Sequence, residues 1–341
     1  MDTPRIAAGP APTLRPWSVP RGLPVDEANG TPATRVQDRY IEDILRLNSR
    51  LSFGRLADEL RKNGAALHQF DQARGLTTLV AYSESIPERY LLGLAGFRLA
   101  EYLNAGFASQ KLVFDRSLFC EPIQAMHRRD IHVVTTHTGS GRIVGYVALA
   151  HSQDTKPRLL TDPARLLFPS EQVHGIQLQK LMDDPYTLTT HQIREVKRLV
   201  HAHSVTDRQT HLAITLELLA GISKAVQTEH PGLKLLIGDV EEHIALRHLV
   251  LLGLTVRLVQ GTNPKLSQQD VLHPRYNTGE KVLPFYARIP DADGVAERVT
   301  AIERALADES PIRGLRGVMA ELSGTVQYIY APEGRDEEAA A

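Results

Sequence analysis

Cysteine is nearly absent from the chain: of 341 residues, only Cys120 carries a thiol. One thiol excludes an intrachain disulfide and any zinc site built from several thiolates. Cys120 therefore reads as an inert, buried thiol, since a covalent nucleophile needs a base that the neighbouring sequence does not supply. An excess of either charge is also missing, with 39 Lys and Arg against 40 Asp and Glu and a formal net charge of -1. No global basic field is available for nucleic acid, and the arginine-rich pieces are dispersed. Long apolar runs are lacking too: the stretch His248–Leu254 is short and interrupted by Gly253. The N-terminus has no basic region followed by an apolar signal core. Together these set the expectation of a cytoplasmic protein with no membrane span. The Gly139–Gly141 run, GSG, joins adjacent strands and opens no helix, so it is not a dinucleotide fingerprint. No His and Glu spacing matches a metal enzyme, and a metal-independent reaction is expected.

What the sequence does contain is an ordinary globular composition, 42% hydrophobic and 23% charged, on a chain long enough for one large or two modest domains. Residues 1–33 hold seven prolines and suggest an irregular arm. The spacing of Val36, Tyr40, Ile41, Ile44, Leu47 and Leu51 then supplies one apolar helical face, and Phe53, Leu56 and Leu60 a second before Gly64. This marks 34–85 as a helical accessory region, with a weakly bounded strand at Leu76–Ala81. A helix is expected over Ile86–Leu103, despite Gly93 and Gly96.

The main α/β region spans 86–290. Ile131–Thr136 and Arg142–Ala150 read as a hairpin across a polar glycine turn. A proline-punctuated section, 152–190, is too apolar to be a linker and suits a substrate-covering insertion. Strand and helix then alternate: Ile193–Val200, Leu212–Thr228, Leu233–Ile237, Glu241–Leu252 and Thr255–Val259. That order implies a sheet covered by helices. Val282–Ile289 is a further strand, and Pro284 suggests an edge or bulged position for it. Residues 291–330 read as a C-terminal helical extension and 331–341 as an acidic tail.

Several proton-exchanging groups cluster near Glu195. His201 and His203 could exchange protons near neutral pH. The run from His201 to His211 forms a turn into the long helix, whose first N–H groups suit phosphate oxygens. Val200, Arg208 and Thr210 are the ligand-contact candidates there. Asp239 lies just past a strand and His243 on the next helix, where ligand clefts form, although Asp239 also suits a helix cap. Glu195 and Lys197 share one face of an ideal strand, and a surface ion pair with Lys197 or Arg198 is the competing role for Glu195.

Four segments carry a family resemblance: FRLAEYLNAGF (Phe97–Phe107), DIHVVTTHTGSGRIVGYVALA (Asp130–Ala150), REVKRLVHAHSV (Arg194–Val205) and LKLLIGDVEEHIALRHLVLLGLTV (Leu233–Val256). In that order they resemble the Gcn5-related N-acetyltransferase superfamily, and specifically its autoinducer-synthase and long-chain N-acyl-amino-acid-synthase branch. The resemblance implies an acyl-CoA N-acyltransferase-like α/β fold, a mixed central sheet flanked by helices with an N-terminal helical extension. It implies Glu195 as a proton acceptor for an attacking amine, and Arg198 as a support for the site or for the acyl carrier. It also implies acyl-CoA or a phosphopantetheine thioester on acyl carrier protein as donor substrate, a small amine or amino acid as acceptor, and no tightly bound cofactor. The basic or glutamine residue and closely spaced glycines of the usual acetyl-CoA loop are missing. Acyl-homoserine-lactone synthesis with S-adenosylmethionine as the amine, and a non-catalytic carrier-recognition role, remain the alternatives.

Overall fold

The computed structural model describes residues 32–71, 74–123, 126–241, 246–277, 281–322 and 324–331. The expected arm over 1–31, the acidic tail over 332–341 and His243 lie outside the described residues. Helices α1 (Pro32–Arg50) and α2 (Leu56–Lys62) precede strands β1 (His68–Asp71) and β2 (Leu76–Tyr82). Helices α3 (Glu88–Asn104) and α4 (Gln110–Asp115) follow, then the hairpin β3 (Ile131–His137) and β4 (Ile143–Ala150). A short helix α5 (Pro169–His174) lies within the long insertion before β5 (Ile193–His201). Next come α6 (Arg208–Glu229), β6 (Leu235–Glu241), α7 (Leu246–Leu251), β7 (Thr255–Gln260) and β8 (Val282–Arg288). Helices α8 (Ala292–Ala307) and α9 (Pro311–Glu321) and strand β9 (Thr325–Tyr330) complete the order.

All nine strands join one sheet in the order β1-β2-β3-β4-β5-β6-β8-β7-β9. It is mixed: β5 with β6 and β7 with β9 run parallel, and the other neighbours are antiparallel. Helices flank it, and α1 and α2 form an N-terminal helical extension, as expected. On one face α6 lies against β2, β3 and β4. Its approach is close enough that a Cβ on Gly145 would overlap the Ile214 side chain, which accounts for glycine at that strand position. The opposite face is covered at one end by α3 and at the other by the insertion, whose Leu160, Phe168 and Leu178 pack on Ile193, Ile237 and Tyr286. The insertion is organised around a buried bidentate ion pair, Arg165 Nη1 and Nη2 donating to the Glu171 carboxylate at 2.7 Å each.

Three expectations are corrected. β8 is an interior strand between β6 and β7 rather than an edge. Pro284 fits because the β7 ladder stops at Phe285, one residue short of it. The C-terminal extension is not wholly helical, since β9 pairs with β7 along six residues and forms the sheet edge. The accessory region 34–85 likewise contributes β1 and β2 to the sheet.

Candidate active site

The parallel ladder between β5 and β6 runs from Ile193–Leu235 to Val196–Gly238 and stops there, although β5 continues to His201 and β6 to Glu241. The two strands diverge beyond that point. Gly238 permits the last close pair, because a Cβ there would sit 2.8 Å from the Val196 carbonyl oxygen. On its other side β5 carries a bulge: Ala148 pairs with Lys197 but Tyr146 with Val200, so β5 has one residue more than β4 over that interval. A bulge bends the strand and leaves backbone groups outside the ladder.

A cleft of about 340 Å³ opens where the strands part. Its apolar wall is Val196, Val240, Leu249 and Phe285, continuous with the main core, together with Leu199 and Val200. Its polar wall gathers Glu101, Asp239, Glu241 and Arg275. Tyr102 and Phe107 close it from α3 and the loop beyond. Glu101 is 4% exposed. Its Oε2 accepts the His203 N–H at 2.8 Å, and among the described residues none makes a well-formed hydrogen bond to its Oε1. Burial pushes the Glu101 carboxyl up to about 7, against the opposing pull of the His203 N–H and Asn104. Behind Glu101 a recess of about 20 Å³, lined by Asn48, Arg142 and Ser204 among others, is large enough for one water.

Asp239 behaves oppositely. Burial opposes its charge, but the Arg275 guanidinium at 3.0 Å, with the Tyr276 hydroxyl at 2.6 Å and His174, holds it well below the usual carboxylate range. One buried wall thus presents a carboxyl that is half-ionised near neutrality and another that stays ionised. Such a pair of separated acidities is what proton-transfer sites employ.

The residues singled out from the sequence divide into three groups. Val200, His201, His203 and Asp239 line the cleft. Within it, His201 meets His211 through their Nδ1 atoms at 3.1 Å, and exposed His203 contributes its backbone to Glu101. Glu195 is buried but outside the cleft lining: its Oε1 accepts the Ser170 N–H at 2.8 Å and its Oε2 lies 3.1 Å from Lys197 Nζ. The insertion thus occupies the carboxylate expected to face the amine. Thr210 is also engaged, its N–H and hydroxyl both donating to Asp207 at 2.7 and 2.8 Å, while Arg208 is exposed on the first turn of α6. Arg198 stands at the bulge of β5, and its side chain is outside the described residues. Asp239 lies within β6 opposite Pro284 and binds Arg275 and Tyr276.

No family model and no curated protein matches the sequence. Among solved structures the chain is similar to a CoA-dependent acyl-homoserine lactone synthase with SAM and isopentyl-CoA, at 15% identity over 72% of this chain and 88% of that one, TM-score 0.36. It is similar to a GCN5-related N-acetyltransferase from Brucella melitensis, at 10% identity over 74% and 97%, TM-score 0.37. A GNAT family N-acetyltransferase from Escherichia coli in complex with CoA matches at 13% identity over 78% and 94%, TM-score 0.29. At these identities and scores neither a donor nor an acceptor carries over to this chain.

Glu101, Glu241, Arg275 and Tyr276 were not among the residues expected from the sequence. Glu101 had a readable signal: it falls four residues after Phe97, so a carboxylate shares the apolar face of α3. Arg275 and Tyr276 come from the irregular segment between β7 and β8, which has no periodicity to read. Cys120 is partly exposed rather than buried, and desolvation and Glu121 push its thiol up, so it is not activated. Among the described residues no group of three or more His, Cys, Asp or Glu could hold a metal ion, and no helix is long and apolar enough to cross a membrane.

Proposed function

We propose that the chain is an N-acyltransferase that moves an acyl group from a pantetheine-type thioester to a primary amine. The divergence of β5 from β6 carries this reading. Beyond Val196 the edge of β5 has no strand partner in β6, and it borders a cleft with one apolar and one polar wall. An extended pantetheine arm carries two amides, and a strand edge is the natural partner for amides presented in an extended chain. The apolar wall suits the acyl portion, and the acidic wall of Glu101, Asp239 and Glu241 favours an acceptor that arrives as a cation, as amines do.

The bound ammonium first releases a proton to solvent, and the neutral amine nitrogen then attacks the thioester carbonyl carbon, forming the C–N bond. The nitrogen gives one proton to the Glu101 carboxylate, the carbonyl re-forms, and the C–S bond breaks. The departing thiolate recovers that proton from Glu101, so amide and free thiol are the products. In this reading a backbone N–H in the bulged segment of β5 serves as the donor that stabilises the oxyanion. Glu195 then has a supporting role: it ties α5 to β5 behind the site.

The test presents purified protein with acyl thioesters and a panel of amines, following free thiol and product mass together. Thiol release with matching amide supports the reading, and thiol release without amide makes the protein a thioesterase. Binding of acyl carrier protein without thioester loss favours the carrier-recognition alternative. A lactone product with S-adenosylmethionine as the amine identifies the autoinducer branch. Glu101→Gln keeps the side-chain volume and is expected to lower turnover by about 10²- to 10⁴-fold.

A further inference from the structure

At the mouth of the cleft, where β5 leads into α6, four backbone donors of the turn and first helical turn, those of Ala202, His203, Val205 and Thr210, are engaged by the protein's own acceptors. Ala202 N donates to Val144 O at 2.9 Å, His203 N to the Glu101 carboxylate at 2.8 Å, and Val205 N to Ala202 O at 3.0 Å. At the start of α6, Asp207 accepts from Thr210 N at 2.7 Å and from Thr210 Oγ1 at 2.8 Å. These hydrogen bonds hold the Asp207 carboxyl below its ordinary range. Two carboxylates thus face this turn, one at each end, and the partial positive charge of the 22-residue helix is offset by Asp207. A phosphate group here would displace a protein carboxylate or lie beside one. Arg208, the cation on the first turn, is exposed beside the equally exposed Asp207, and each partly offsets the other's charge.

We infer that the acyl donor is read along its pantetheine arm and acyl chain, and that this turn excludes the donor's phosphate end. The inference rests on the proposed transfer reaction and specifies its donor: the nucleotide half of a coenzyme-A thioester contributes little to recognition, and Asp207 is the residue that sets this. The thioester and the arm enter along β5 in the cleft, while the phosphates project past the turn into solvent.

The test compares the same acyl group on pantetheine and on coenzyme A, with one amine and the full-length protein. Values of kcat/KM within about threefold of each other support the inference. So does an unchanged rate in the presence of millimolar adenosine 3′,5′-bisphosphate. Asp207→Asn keeps a good helix cap and removes the charge, so it is expected to raise kcat/KM for the coenzyme-A thioester about two- to fivefold and leave the pantetheine thioester unchanged. Asp207→Ser, also a good cap, is expected to do the same. A loss of about 100-fold or more on removing the nucleotide from the wild-type donor overturns the inference while leaving the transfer reaction standing. Competition by the bisphosphate overturns it in the same way. Absence of turnover with every donor removes both the transfer reaction and the inference.

Discussion

Glu101 sits in the middle of α3, buried and with no well-formed hydrogen bond to its Oε1 among the described residues, and its carboxyl is raised from the usual 4.5 to about 7. Burial disfavours the charged form, so the folded chain retains a proton that the unfolded chain has already released. Between pH 4.5 and 7 the native state binds more protons, and stability therefore falls as pH rises through that window. The loss at pH 8 amounts to roughly 3 kcal/mol for a shift of this size. Glu101→Gln removes the ionisation and keeps an oxygen for the His203 N–H. It is expected to unfold at higher urea than the wild type at pH 8, with the difference vanishing toward pH 4. The same carboxyl sets the opposite trend in activity: kcat/KM rises with pH around 7 as the base form appears, and that limb is absent in the variant. A wild-type profile flat between pH 6 and 8, or equal urea midpoints at pH 8, would remove Glu101 as the proton acceptor.

At the scale of elements, the insertion between β4 and β5 decides what the sequence could not. Its Arg165 and Glu171 side chains are 2% and 0% exposed. Glu171 also accepts the Phe168 and Leu178 N–H groups at 3.0 and 2.8 Å. Glu171→Ala leaves two backbone donors without partners and a buried guanidinium without a counter-charge, held only by neutral acceptors such as the Leu160 carbonyl and Gln179, and is expected to cost about 3–5 kcal/mol in urea unfolding. The double variant Arg165→Met, Glu171→Leu is expected to recover much of that loss, because it removes both charges at similar volume. Equal stabilities for the two variants would place the insertion's stability elsewhere. Nothing in the sequence announces this pair, six residues apart in an irregular stretch, and it is the insertion so organised that brings Ser170 to the Glu195 carboxylate. The β3–β4 hairpin was legible because alternation and a glycine turn are local signals, and so were β5, α6 and β7, where periodicity changes at clear breaks. β1 and β9 were not: both are short edge strands of mixed polarity, β1 only four residues long and β9 paired with β7 about 70 residues earlier in the chain. Pro284 misled because a missing N–H argues against ladder pairing in general, whereas here the ladder to β7 ends just before it. For Glu195, alternation correctly gave the face it shares with Lys197, and only the tertiary fold shows that Ser170 of α5 reaches its carboxylate.

Across the whole molecule, the sheet is continuous through nine strands yet opens at one place, between β5 and β6 beyond Val196 and Gly238. On one side stands the β2–β3–β4 half held by α6, and on the other the β6–β8–β7–β9 half held with α8 and α9; α6 contacts both helices and bridges the two. A donor entering the opening would pair with the free edge of β5 and fill the apolar wall, joining the halves where no ladder does. Hydrogen exchange reads this directly. Amides in β2 and β3 are buried and paired on both sides, so they exchange slowly whether or not a donor is bound. Those of 197–201 and 239–241 border the cleft and open more readily. With a non-hydrolysable acyl-pantetheine analogue at about 100 times its Kd, segments that open only when the ligand leaves gain up to roughly 2.7 kcal/mol of protection. The protection is expected to centre on β5 beyond Val196 and on the end of β6, and to extend to Arg275 and Tyr276 through Asp239. Protection centred instead on the outer edges at β1 or β9, or spread evenly over the sheet, would show that the opening between β5 and β6 is not where the donor binds.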